Sequence, residues 1–112
     1  MQAAEQALRT LRQLLALTPE PPTQADASDV IEQGCSMMDL RETELSILRL
    51  LLRDTPELLR GNQQCREIRD QISLRDRQWS SALTRARGEM ARRRLAGQRA
   101  RQAQRTYRSS AH

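Results

Sequence analysis

The chain has no Lys and no Phe, and Trp79 and Tyr107 are its only aromatic residues. It has one Val and four Ile against 16 Leu and 13 Ala. Sheets draw on β-branched and aromatic residues, whereas Leu, Ala, Arg and Gln are good helix formers. A sheet protein is therefore excluded, and helix is expected throughout. No apolar run approaches the ~18 residues of a membrane-spanning helix. Met1–Leu17 also lacks the basic start and apolar block of a signal peptide. Cys35 and Cys65 are too few for a disulfide scaffold and have no metal-ligand spacing, so a reducing cytoplasm is the expected compartment.

Chemistry is poorly provided for. His112 is the only histidine and stands at the last position. No Cys/His or Ser/His/acid set can be assembled, and there is no Gly-rich phosphate loop. Neighbouring acids such as Glu42 and Glu44 read as solvated helix faces. The sequence thus predicts no catalytic residue, no metal ligand and no cofactor, and a protein that acts by binding other macromolecules.

At 112 residues the chain is one domain at most. All 19 basic residues are Arg, which together with the Ala and Leu content fits a GC-rich bacterial genome. The net charge of +5 hides an asymmetry: residues 1–76 carry nine Arg and 13 acids, residues 77–112 ten Arg and only Glu89. A basic C-terminal arm on a mildly acidic body is the expected layout.

The first helix is predicted over about 2–17, with Ala4, Leu8, Leu11 and Leu15 on one stripe and Ala7 and Leu14 beside it. Thr18-Pro19-Glu20-Pro21-Pro22 ends it, because Pro cannot donate an intrahelical bond. Asp26 or Ser28 can cap a second helix over 28–53. That helix has two apolar rows: Ile31, Cys35, Met38, Leu45, Leu48 and Leu52, and Val30, Met37, Leu40, Ile47 and Leu51. Two rows predict a helix sandwiched between partners, since a surface helix needs one stripe. Met37 and Met38 read either as core or as an adaptable client surface.

Thr55-Pro56-Glu57 marks a tight turn and a restart into a third helix over 56–87. Its apolar spacing runs through Leu58, Cys65, Ile68, Ile72, Trp79, Leu83, Ala86 and Met90, interrupted by Asp76. The short connection makes helices two and three antiparallel neighbours. If the turn centres near Asp54–Thr55, Cys35 lies opposite Ser73–Leu74, roughly 12 Å along the axis from Cys65. That exceeds the ~7 Å reach of a disulfide, and two independent core thiols are expected. Trp79 is expected in the core.

Beyond Gly88 the stripe thins to Ala96, Ala100, Ala103 and Tyr107 among Arg92, Arg93, Arg94, Arg99, Arg101, Arg105 and Arg108. Helix two spans roughly 40 Å, while residues 56–106 as one helix span roughly 75 Å, so the excess must fold back, dimerise or project. A break is expected near Gly88 or Gly97, where Gly weakens a helix by about 1 kcal/mol. The fold expected is therefore an all-α, antiparallel bundle of three helices over 1–88. A basic, mobile C-terminal helix over 89–112 follows it. Arg binds phosphate and carboxylate bidentately, so the arm suits nucleic acid, acidic lipid or an acidic protein surface. A first helix that starts at the base cannot cover all of helix two, which leaves Leu50, Leu51, Leu52, Leu58 and Leu59 at the tip as an apolar partner site.

This layout resembles the flagellar type III export chaperones of the FliT/FlgN type. The resemblance covers most of the chain. It rests on the Leu-rich, Glu/Arg-studded second helix (Asp39 to Leu52), the Pro-marked turn, the long third helix, and the tail with Arg101, Ala103, Arg105 and Tyr107. It implies a cytoplasmic chaperone that holds a terminal amphipathic helix of a filament-cap or hook-associated subunit, engages the export apparatus, and occludes its groove with the C-terminal helix. Self-association is compatible with it. A small Arg-rich nucleic-acid-binding protein and a structural coiled-coil adaptor are the other readings of the same residues.

Overall fold

The Leu- and Ala-rich segments form helices α1 (Gln2–Ala16), α2 (Ala27–Asp54), α3 (Leu58–Gly61) and α4 (Gln63–Ser110). The computed structural model describes residues 2–110, and no strand occurs among them. His112 lies outside the described residues. Each helix end has a local cause. Thr18, fully buried, donates its hydroxyl to the Leu14 carbonyl at 2.7 Å as the chain enters Pro19. Asp26 caps α2 as expected, accepting from the Ser28 hydroxyl at 2.7 Å and the Ser28 amide at 3.4 Å.

The turn after α2 differs from the expected single restart at 56. Pro56 and Glu57 lead only into the one-turn α3, and Gly61-Asn62 ends it. Asn62 has an extended backbone, and its side-chain oxygen accepts from the Cys65 amide at 3.1 Å, so the long helix starts at Gln63. The register of α2 against α4 shifts accordingly. Arg41 meets Asp76, and Gly34 meets Leu83, which places the centre of the hairpin on α3 rather than at Asp54–Thr55. Cys35 then stands level with the Ala82 turn, roughly 25 Å along α4 from Cys65. Both thiols are free, as expected, but only Cys65 is a core residue; Cys35 is exposed.

Two apolar clusters stack along the hairpin. Near the tip, Leu11 and Leu14 of α1 meet Cys65 and Ile72, with Leu45, Leu48, Leu59 and Ile68 around them. Toward the base, α2 and α4 bury Val30, Met37, Trp79, Leu83 and Ala86 without α1. Helix α1 therefore covers the tip half of the hairpin, not the base. The linker after it fixes this position. Arg75 donates to the carbonyls of Leu15 at 3.2 Å and Thr18 at 2.8 Å, and the Trp79 indole N–H donates to Pro19 at 2.6 Å. The two apolar rows of α2 are only partly sandwiched, since Met38, Leu40 and Leu50 are exposed.

The separate C-terminal helix of the sequence reading is instead the continuation of α4. Neither Gly88 nor Gly97 breaks it, and no Gly has a positive φ. About 1 kcal/mol per Gly is small against a helix already held by a core and flanked by Ala, Arg and Gln. Helix α2 starts beside Ala82–Ala86, so α4 runs on alone and the molecule is 81 Å long and 25 Å wide. No residue from Ala91 to Ser110 is buried. A chain ending at Leu95 is accordingly expected to melt within about 2 °C of the full chain, since no buried apolar area is lost. A fall of more than about 8 °C in thermal denaturation would show that this segment belongs to the core.

Candidate functional site

Two surfaces stand apart from ordinary solvated helix. The first is a groove of about 460 Å³ between α2 and α4 in the base half. It arises because α1 covers only the tip cluster and the linker lies on the opposite flank of α4, against Leu74, Gln78 and Ser81. Met37, Met38 and Leu45 form one wall, Trp79, Leu83, Ser80 and Thr84 the other. Met38 is 51% exposed, whereas Trp79 on the floor is 3% exposed. Gly34 sits behind that floor: a Cβ there would come 2.9 Å from a Leu83 methyl, so the missing side chain lets Leu83 and Trp79 lie against α2.

An ion pair crosses the groove. Arg41, buried on α2, donates from Nη1 to Asp76 Oδ1 at 2.6 Å and from Nη2 to Oδ2 at 3.4 Å. This accounts for Asp76, the polar interruption of the α4 stripe: it neutralises a guanidinium that occupies a core position of α2. The Arg41 Nε is buried with no hydrogen-bond partner.

The second surface is the projecting part of α4. Arg92, Arg93, Arg94, Arg99, Arg101 and Arg105 are all exposed, and Tyr107 is 76% exposed. Only the start of this segment is anchored. Arg93 bridges Asp26 at 2.9 Å and Glu89 at 3.4 Å, and Arg92 pairs with Glu89 at 3.0 Å. The Arg93 guanidinium, with help from Ser28, holds the Asp26 carboxyl far below the ordinary carboxylate range. Glu89 is likewise lowered, chiefly by its hydrogen bond from Arg92.

The five tip leucines fall together around the turn, but not equally open. Leu50 is 60% exposed, while Leu51, Leu52, Leu58 and Leu59 are half-buried, Leu59 against the tip cluster. The structure does not bring them to the groove or to the Arg segment. The groove residues were only partly legible beforehand: the Met37-Met38 pair and the intruding Asp76 were the available signals. Burial raises the Cys65 thiol, partly offset by Arg12, consistent with an unreactive core residue. Among the described residues no group of three or more His, Cys, Asp or Glu is placed to hold a metal ion. No described helix is long and apolar enough to cross a membrane. Comparison with family profiles, with curated proteins and with solved structures finds no match to this chain.

Proposed function

We propose that the chain is a cytoplasmic chaperone of bacterial type III export, of the FliT/FlgN kind its sequence resembles. Its body acts as a short antiparallel bundle of α1, α2 and α4 that holds a terminal amphipathic helix of a filament-cap or hook-associated subunit. One observation carries this reading: a Met-edged apolar groove with Trp79 as its floor, open between two helices that a third covers only at the other end. Helix-in-groove recognition uses such surfaces, and Met edges adapt to different side chains. The exposed Leu50 and its half-buried neighbours give a second apolar contact at the tip.

The sole Trp lies in the groove and reports on it directly. Titration with a ~20-residue peptide from the terminal helix of such a subunit is expected to change Trp79 fluorescence saturably. The affinity should change little between ~50 and ~200 mM salt, because the contact is apolar. Met38→Glu, which places a charge on the rim of the groove, is expected to weaken binding by about tenfold or more. A peptide that binds this variant as tightly as the parent chain, or that leaves Trp79 unperturbed, would defeat the assignment.

A further inference from the structure

Two rows of arginine run along the last part of α4, starting beside the beginning of α2 and continuing onto the projecting segment. Arg87, Arg94, Arg101 and Arg108 recur every seven residues, with Arg105 beside the last two. Arg85, Arg92 and Arg99 recur at the same interval. At 3.6 residues per turn each row runs nearly along the axis in steps of about 10.5 Å, and the rows stand about 160° apart around the helix. All these residues are exposed, and from Met90 onward the sequence contains no carboxylate. Like charges at Arg101/Arg105 and Arg105/Arg108 spacing repel on a free helix. Beyond the Arg92–Glu89 and Arg93–Asp26 pairs at its foot, the segment calls for negative charge from outside, at Arg94, Arg101, Arg105 and Arg108 on one side and at Arg99 on the other.

That requirement separates the anionic partners. A lipid surface presents charge on one side and asks for an apolar helix face. Here the arcs between the rows carry Ala, Gln, Thr and Gly97, with Arg93 held by Asp26 at the foot, and Leu95 and Tyr107 share one shallow surface interrupted by Arg99 and Gln102 rather than a continuous apolar face. An acidic protein face also lies on one side only. The major groove of B-DNA offers two phosphate walls, is about 12 Å wide, and admits a helix about 10–12 Å across. One of the two arcs carries Ala96, Ala100 and Ala103 between Arg93 and Tyr107, short side chains that let the backbone approach base edges over that stretch. The segment from Ala91 to Ser110 is about 30 Å long, close to one turn of the duplex.

We propose that residues 91–108 of α4 are a DNA-binding helix that lies in the major groove of duplex DNA and contacts phosphates on one wall through Arg94, Arg101, Arg105 and Arg108 and on the other through Arg92 and Arg99. This rests on the arginine geometry and is independent of the client groove. The test uses the full chain and a fluorescein-labelled ~20-bp DNA duplex, followed by anisotropy across a salt series. With about five to seven phosphates neutralised, affinity is expected to fall by about 10³-fold from ~50 to ~200 mM salt. Replacing Arg94, Arg101, Arg105 and Arg108 by Gln should retain helix content by circular dichroism, weaken binding and flatten the salt dependence by about one unit of slope per lost contact. Replacing Arg60 and Arg66 of the body should leave binding and slope unchanged. An unlabelled RNA duplex, phosphatidylserine vesicles and polyglutamate are then offered as competitors for the chain bound to the labelled DNA, beside unlabelled DNA. Tighter binding to any of these than to DNA would overturn the proposal. So would an unchanged salt slope in the four-Gln variant, or no DNA binding at ~50 mM salt.

Discussion

Trp79→Ala is expected to remove about 3–5 kcal/mol of stability, the cost of emptying a large buried aromatic site. Trp79 is 3% exposed and joins Val30, Met37, Ala82 and Leu83 in the base cluster, which α1 does not reach. Gly34, behind the indole and Leu83, has no side chain to fill the space, and only Met37 and Leu83 flank it. The indole also donates to the Pro19 carbonyl at 2.6 Å. Its loss therefore loosens the linker that sets α1 over the tip. A domain of this size has roughly 5–15 kcal/mol in all, so the variant should melt lower by well over 10 °C at about 4–8 °C per kcal/mol. Trp79→Phe separates the two contributions. It keeps most of the ring but leaves Pro19 without its donor, for a loss of about 1–2 kcal/mol. Urea denaturation of the two variants decides: a loss below about 1 kcal/mol for the alanine variant would place Trp79 outside the core.

The helical content was legible because composition and stripe spacing agreed along the whole chain. Helix ends written by Pro and by a capping carboxylate, at Thr18-Pro19 and at Asp26, lie where the sequence puts them. The restart after α2 was not legible to the residue. Thr55-Pro56 and Gly61-Asn62 are both competent stops a few residues apart, and the Asn62 cap on the Cys65 amide, with Leu59 packed against the tip cluster, makes the second the start of the long helix. That choice moves the register of the hairpin and carries Cys35 away from the position opposite Ser73. The placement of α1 was likewise hidden. A stripe of Leu says that a helix has one buried face, not which half of a longer neighbour it covers. Here long-range bonds from Arg75 and Trp79 to the linker select the tip. Because α1 lies there, the open apolar surface is the groove at the base, and Met38 rather than the full set of tip leucines forms its rim. The basic character of the last segment was plain from charge alone. Its continuity with α4 was not, since two Gly were available as breaks and neither is used.

Asp76→Ala is expected to cost about 2–3 kcal/mol, although it removes a side chain that is itself 44% exposed. The cost falls on the partner. Arg41 is buried at a core position of α2, and both of its terminal nitrogens donate to the Asp76 carboxylate. Its Nε is already without a partner. Removing the carboxylate leaves the whole guanidinium uncompensated, which for fully buried pairs costs about 3–5 kcal/mol. The solvent access of Asp76 lowers the figure here. The pair is not thereby a net source of stability, because desolvating Arg41 offsets much of its attraction to Asp76. The double variant Arg41→Met, Asp76→Leu should therefore be as stable as the parent or more so, by up to about 3 kcal/mol. The two single variants and the double form a cycle whose coupling energy should exceed about 1 kcal/mol. The same double variant removes the ion pair from the groove while Glu42 and Arg87 remain on its lining, so an apolar client helix should bind it at least as tightly as the parent chain. If Asp76→Ala unfolds at the same urea concentration as the parent chain, the guanidinium is solvated and the ion pair does not organise the groove.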